Sequence, residues 1–275
     1  MGVASWIEGE TMAAEQGLRS EVAEGVGTIT IDRPEKRNAM TAAMWRELPK
    51  VLEGLAADPS VRVVVLTGAG DNFCAGADIS ELADINPHGD DDNLSTAAEE
   101  ALAGFPKPTI AAIEGFCVGG GCQLAAACDL RFAAEGARFG ITPAKLGIVY
   151  PASATTRIVR LVGPAAAKYL LFSADLVGTD HALRIGFVDE VTAAGTLQAR
   201  VTEFAATLAS RSLLTQQAAK EMVDAIAAGE PVEARAEIWV AEAVAGGDVA
   251  EGIAAFLERR TPDFTWTGPG RRPAL

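Results

Sequence analysis

Apolar positions along the chain gather in short β-branched runs, each closed by turn residues, and these runs alternate with stretches whose apolar residues recur at helical spacing. Val26-Gly27-Thr28-Ile29-Thr30-Ile31 predicts a strand that stops at Asp32-Arg33-Pro34, where proline and a polar pair signal a turn. Thr41 then stands where a helix needs an N-cap, and Met44, Leu48, Val51, Leu52 and Leu55 follow on one helical face. Val61-Arg62-Val63-Val64-Val65-Leu66-Thr67 predicts a second strand, ended by Gly68-Ala69-Gly70-Asp71-Asn72. Pro108-Thr109-Ile110-Ala111-Ala112-Ile113 predicts a third, followed by a glycine-rich turn into a helix over residues 123–127, and Leu130-Arg131-Phe132-Ala133 a fourth. Strand, loop, helix, strand is the order of an α/β domain, in which loops at strand ends carry the chemistry.

From Pro164 onward the pattern changes. Residues 165–172, 181–185, 196–210, 213–228 and 231–256 are Ala- and Leu-rich at helical spacing, punctuated by Gly163-Pro164 and Gly229-Glu230-Pro231. The expected organisation is a flexible extension over residues 1–17, a core over 18–205 and a C-terminal helical region over 206–275. Residues 84–93, Asp-Ile-Asn-Pro-His-Gly-Asp-Asp-Asp-Asn, read as a mobile surface loop, and no repeat of fixed period is present.

Composition narrows the partners. The 275 residues are 49% hydrophobic and 22% charged, which suits a packed globular protein. Thirty-seven acidic against 23 basic side chains give a net charge of −14, a poor match to nucleic acid or to an anionic membrane surface. A small anionic ligand is still admissible, because it needs only a local group of cations and backbone N–H donors. No apolar run approaches the roughly 20 residues of a membrane helix. Glu8, Glu10 and Glu15 stand where a secretory signal would carry a basic end and an apolar run, so a cytoplasmic location is expected. Cys74, Cys117, Cys122 and Cys128 form no CxxC pair and there are only two histidines, so no metal site is expected and the thiols are expected buried and reduced.

Two glycine-bearing loops carry the candidate chemistry. Phe73-Cys74-Ala75-Gly76-Ala77-Asp78-Ile79 follows the Val61 strand, and Glu114-Gly115-Phe116-Cys117-Val118-Gly119-Gly120-Gly121-Cys122-Gln123 joins a strand to a helix. Small residues let a ligand approach the main chain, and a helix N-terminus presents unpaired N–H groups. Two such donors aimed at one point would form an oxyanion hole. The glycine run by itself is equally a tight structural turn, and it matches neither a P-loop nor GxGxxG.

The ordered set is more specific. Arg33-Pro34-Glu35-Lys36-Arg37-Asn38-Ala39-Met40, the two loops, Cys128-Asp129, Phe139-Gly140 with Leu146-Gly147, Ile185-Gly186-Phe187-Val188-Asp189-Glu190-Val191 and Glu251-Gly252 with Phe256-Leu257-Glu258-Arg259-Arg260 resemble successive signatures of the enoyl-CoA hydratase/isomerase (crotonase) superfamily over about residues 20–265. The resemblance implies a spiral of ββα units, a C-terminal helical region used in trimer assembly, and a homotrimer or homohexamer. It implies an acyl-CoA substrate whose coenzyme A moiety belongs to the substrate, with no separate cofactor. It assigns the oxyanion donors to the N–H groups of Ala77 and Gly120. Glu35, Lys36, Arg37, Ala75 and Asp78 would border the coenzyme, Ile79, Gly119 and Thr142 join the expected substrate-binding set, and Phe256 and Arg259 match positions that reach a neighbouring subunit's coenzyme.

The chain departs from the hydratase pattern at two positions. A hydratase of this superfamily uses two glutamates to place and activate water, and here those positions hold Gln123 and Pro143. An amide cannot exchange a proton near neutral pH and proline has no side-chain chemistry, so ordinary hydration is disfavoured. Another lyase or isomerase reaction through a thioester enolate fits better. Residues 142–150 resemble the matching stretch of methylmalonyl-CoA decarboxylase, which makes Tyr150 a candidate to guide protonation; a tyrosine bonded to a backbone carbonyl is the bland alternative. The rival from another class is a non-catalytic member that binds acyl-CoA, or RNA, and the −14 charge speaks against RNA. Glu81 reads as a solvated helix residue, with a place in the cleft as the alternative, Asp129 as a structural acceptor and His181 as a helix-start residue rather than a base. His88 has no visible partner, and Asp90-Asp91-Asp92 reads as a solvated run, with a loop acid folded over the site as the alternative.

Overall fold

The computed structural model describes residues 10–15, 17–86 and 93–268. Strands β1 (Glu10–Glu15), β2 (Leu18–Ala23) and β3 (Val26–Ile31) form an antiparallel meander. Helix α1 (Ala42–Ala57) carries the chain across to β4 (Val63–Gly68), which lies parallel to β3. Helices α2 (Leu82–Ile85) and α3 (Leu94–Ala103) lead to β5 (Thr109–Ile113), parallel to β4. Then come β6 (Phe116–Val118), α4 (Gly120–Ala127), β7 (Leu130–Ala134), β8 (Arg138–Gly140), α5 (Ala152–Ser173), β9 (Val177–Gly178), α6 (Thr179–Arg184) and β10 (Glu190–Thr192). Four helices close the chain: α7 (Leu197–Ala209), α8 (Leu213–Ala228), α9 (Glu233–Ala245) and α10 (Asp248–Glu258). The main sheet runs β1-β2-β3-β4-β5-β7-β10, and a small second sheet runs β6-β8-β9.

The parallel strands read as continuous apolar runs because both sheet faces are covered. On one face Ile29, Ile31, Val64 and Leu66 pack with Trp45, Leu48 and Leu52 of α1 and with Leu124 of α4. On the other, Val63, Val65, Ile110 and Phe132 pack under Leu197, Val201 and Ala205 of α7. Helix α1 begins where the sequence places it: the Thr41 side chain accepts a hydrogen bond from Met44 N–H. Each fully buried Leu or Met on its inner face contributes about 1.5–3 kcal/mol.

Three boundaries differ from expectation. Residues 10–15 are strand rather than loose extension, because β2 offers an unpaired edge that they satisfy; residues 1–9 and 16 lie outside the described residues. The division at 205/206 falls inside α7, whose Ala205 is still packed on the sheet. The break comes instead at residues 210–212, after which Leu213, Leu214, Ala218, Trp239 and Trp266 form a separate small core. Of the expected surface loop, residues 84–85 belong to α2 and Asn93 caps α3 by accepting from Thr96 N–H, while 87–92 lie outside the described residues. Among the described residues no helix is long and apolar enough to cross a membrane.

Candidate active site

The two glycine loops are stitched side by side by single parallel bridges. Cys74 N–H donates to Phe116 O and Val118 N–H to Cys74 O, both at 2.9 Å. A second bridge joins the first loop to residue 40: Met40 N–H donates to Gly76 O and Asp78 N–H to Met40 O, both at 2.8 Å. In such a bridge the flanking peptides bond to Met40, so the N–H of Ala77 itself is turned the other way. Gly120 is the first residue of α4, where an N–H has no partner in its own helix. Among the described residues neither the Ala77 nor the Gly120 N–H has an acceptor, and both residues are only half-buried.

Glycine is required where these donors meet. A Cβ on Gly76, at φ 103°, would lie 3.0 Å from Val118 O and 3.2 Å from Gly120 N. A Cβ on Gly120 would lie 2.9 Å from the Trp45 ring and 3.4 Å from Ala77 N. The expected pair of donors is thus brought together, with Trp45 as its floor. The Trp45 indole N–H is buried and has no acceptor among the described residues.

Beside this turn is a polar network. Tyr150 Oη donates to Gly119 O at 3.1 Å, and burial pushes the phenol well above its ordinary pKa, so it stays neutral. The hydroxyl proton is therefore committed to the carbonyl that immediately precedes Gly120. Gln123 Nε2 donates to Glu99 Oε2 at 2.9 Å, Ser153 Oγ donates to the same oxygen at 2.8 Å, and Arg157 Nε donates to Glu99 Oε1 at 2.8 Å. Glu99 is completely buried, and burial raises its pKa even though Gln123, Ser153 and Arg157 all oppose that shift. Thr142 lies near Gly119, its Oγ1 3.9 Å from where a Gly119 Cβ would be, and Pro143 opens a short 3₁₀ turn, Pro143–Lys145.

The expected coenzyme-side residues also converge. Glu35, Lys36 and Arg37 are exposed on a 3₁₀ turn, and Arg37 O accepts from Ala75 N–H at 2.9 Å. The Arg37 guanidinium lies 4.8 Å from the Phe116 ring centre, which holds this cation against the second glycine loop. Buried Asn38 holds this turn: its Oδ1 accepts from Arg33 N–H, and its Nδ2 donates to Ala69 O and Asn72 O. Asp78 caps the turn Ile79–Glu81 and pairs with Arg33 at 3.1 Å; the Ser80 hydroxyl and N–H, then Arg33, hold its carboxyl below the usual range. Ile79 is 61% exposed. Phe256, 83% exposed, and Arg259, the left-handed C-cap of α10, make no hydrogen bond or ion pair with either glycine loop among the described residues.

Other candidates resolve simply. Glu81 is not a solvated helix residue: its carboxylate accepts from Ala42 N–H at 2.8 Å and so anchors the start of α1. Asp129 accepts from Thr109 N–H and Oγ1 and from Lys220 Nζ. His181 is in the first turns of α6, stacked on Tyr169. The four cysteines are free and buried, and burial pushes Cys74 and Cys128 up to about 12. His88 and Asp90-Asp91-Asp92 lie outside the described residues.

Sequence reading missed Glu99, Ser153 and Arg157. A signal was present: Ser95, Glu99 and Leu102 share the buried stripe of α3 at spacings of four and three, so a carboxylate sits on a core face. A charge there must be paired.

A family model described as enoyl-CoA hydratase/isomerase matches residues 21–267. The chain is 36% identical over 241 residues to 2,3-dehydroadipyl-CoA hydratase of Escherichia coli (strain K12), covering 86% of this chain and 93% of that protein. It is 34% identical over 261 residues to crotonyl-CoA hydratase of Syntrophomonas wolfei, covering 91% and 98%. A crystal structure of enoyl-CoA hydratase from Bacillus anthracis superposes with a TM-score of 0.84 at 32% identity, covering 91% of this chain and 99% of that one. The chain belongs to the enoyl-CoA hydratase/isomerase family and has the crotonase fold, an α/β core with a C-terminal helical region.

Proposed function

We propose that this protein binds a coenzyme A thioester with the thioester oxygen between the N–H groups of Ala77 and Gly120, and takes the acyl group through an enolate-like anion. The observation that carries this reading is the pair of N–H groups, without acceptors among the described residues, at the meeting of the two glycine loops. Such donors favour the species in which negative charge has moved onto oxygen, and they do so without reorganising. The thioester carbonyl is the electron sink, so the reaction calls on no further cofactor. Relatives named for CoA-thioester hydratases support the substrate class. Lys36 and Arg37 supply the local cations that the coenzyme phosphates need.

Two-glutamate hydration is not the reaction we assign, because Gln123 and Pro143 cannot exchange protons. Tyr150 is assigned to hold the Gly119 carbonyl, and through it the direction of the Gly120 N–H. The reaction class is a lyase or isomerase step at the carbons next to the thioester. A turnover screen across enoyl-, hydroxyacyl- and malonyl-type CoA thioesters tests this: at least one non-hydration product is expected, and binding without turnover of any thioester would leave only a binding protein.

We assign assembly to the C-terminal helices. Val223, Ile226, Val240, Val244, Ile253 and Leu257 are exposed on α8–α10, apolar side chains that an assembly would cover. Light scattering at micromolar concentration is expected to return a trimer or hexamer; a clean monomer mass contradicts the assembly and the roles of Phe256 and Arg259 at a neighbour's coenzyme.

A further inference from the structure

Trp45 bridges the two halves of the candidate site. The start of its helix, α1, is tied to the first glycine loop and the turn after it by three hydrogen bonds. Met40 N–H donates to Gly76 O, Asp78 N–H to Met40 O and Ala42 N–H to Glu81 Oε2, each at 2.8 Å. Trp45 stands in the first turn of this tied helix, its own N–H donating to Thr41 O at 3.0 Å. The far edge of its ring meets the second loop instead: Cζ2 and Cη2 lie 2.9 and 3.2 Å from where a Gly120 Cβ would be. Gly120 therefore rests on the ring edge with no side chain between them.

The Gly119–Gly120 peptide is already held at its carbonyl, which accepts from Gln123 N–H and from Tyr150 Oη, both at 3.1 Å. Those bonds fix the tilt of the peptide and leave its approach to Ala77 to be set by what lies under Gly120. The ring there is completely buried, and its indole N–H has no acceptor among the described residues. A buried donor without a partner costs stability, so packing alone would favour a phenyl or aliphatic side chain. What the indole has and those lack is reach.

Resting on the oxyanion reading above, we infer that Trp45 is a positioning residue whose ring edge sets the gap between the Ala77 and Gly120 donors. Completely buried, it acts through Gly120 and not on the ligand. With a shorter side chain the start of α4 is free to sink toward α1, and the two N–H groups no longer converge on one oxygen. Groups that act together on one atom must be held to within about 0.5 Å.

The test is the infrared band of the thioester carbonyl in butyryl-CoA, isotope-labelled at that carbon, free and bound. Two donors on the oxygen weaken the C=O bond, so the wild-type band is expected at lower frequency than the free band in water. Trp45→Leu is expected to lose most of that shift while its affinity for coenzyme A itself is unchanged. Leu48→Ala, one turn further along the same buried face, opens a cavity in the core and is expected to leave the band in place. Adding Gly120→Ala to Trp45→Leu should restore part of the shift that each loses alone, because the new methyl fills the space that the indole has left. If Trp45→Leu folds poorly, Trp45→Phe keeps an aromatic core, still falls short of Gly120, and should lose part of the shift. A full shift in the folded Trp45 variants overturns the proposal, because other contacts then set the gap. An equal loss in Leu48→Ala overturns it too, since any loosening of the core would then suffice. Losses that simply add in the double variant speak against contact between ring and Gly120 and also overturn it. A wild-type band no lower than that of free butyryl-CoA would instead overturn the oxyanion reading on which this rests.

Discussion

Gly120→Ala is expected to cut turnover of any accepted thioester by about 100-fold or more, the usual worth of one oxyanion-hole donor. The added methyl would lie 2.9 Å from the Trp45 ring, which is fully buried and cannot retreat, so the start of α4 must shift and carry the Gly120 N–H off its line. It also comes within 3.4 Å of Ala77 N, on the side where the substrate oxygen would be. Stability should fall by only about 1–3 kcal/mol, as for other overpacked sites. The effect should appear in kcat rather than KM, because the lost contact is strongest when charge has reached the oxygen. Turnover within a few-fold of wild type, in a folded variant, contradicts the assignment of Gly120.

The second large effect concerns the absent glutamate pair. Wild-type protein should hydrate crotonyl-CoA at least about 100-fold more slowly than a double variant Gln123→Glu with Pro143→Glu, by the typical contribution of positioned acid–base groups. Gln123→Glu alone has a consequence that sequence could not supply. Glu99 Oε2 lies 2.9 Å from the Gln123 amide nitrogen, so the substitution creates two carboxyls in contact, fully buried. Two charges cannot share that position, and one of the pair will hold a proton to well above the ordinary carboxylate range. The single variant should therefore show a new titration above the ordinary carboxylate range with little hydration, and hydration should appear only when Pro143→Glu supplies the second group. Pro143→Glu also loosens the 3₁₀ turn that proline opens, so unfolding curves should accompany the assay. Fast crotonyl-CoA hydration by the wild type would show that another acid does the work.

What could be read from sequence follows the strength of local signals. β3, β4 and β5 were legible because strands covered on both faces must be apolar throughout, and α8 because its apolar positions and Gly229 cap leave little choice. β2 was not: Arg19, Ser20 and Glu21 make it polar, and it exists because the two-residue turn at Glu24 and Gly25, both at positive φ, folds it back onto β3. β6, β8 and β9 are two or three residues long and are defined by each other rather than by local pattern. For the site, the glycine loops announced themselves through composition, and the fold brings Ala77 and Gly120, the two donors that the resemblance implies, next to each other. Glu99 was hidden because its meaning lies in partners that are 24, 54 and 58 residues away in sequence. A carboxylate looks like surface until the fold buries it.

The most direct test of the account is the structure of a complex with butyryl-CoA, a saturated thioester that resists reaction. The thioester oxygen should lie within hydrogen-bond distance of both the Ala77 and the Gly120 N–H, about 2.7–3.1 Å from each. An oxygen pointing elsewhere, with both N–H groups bonded to acceptors within the protein, would contradict it.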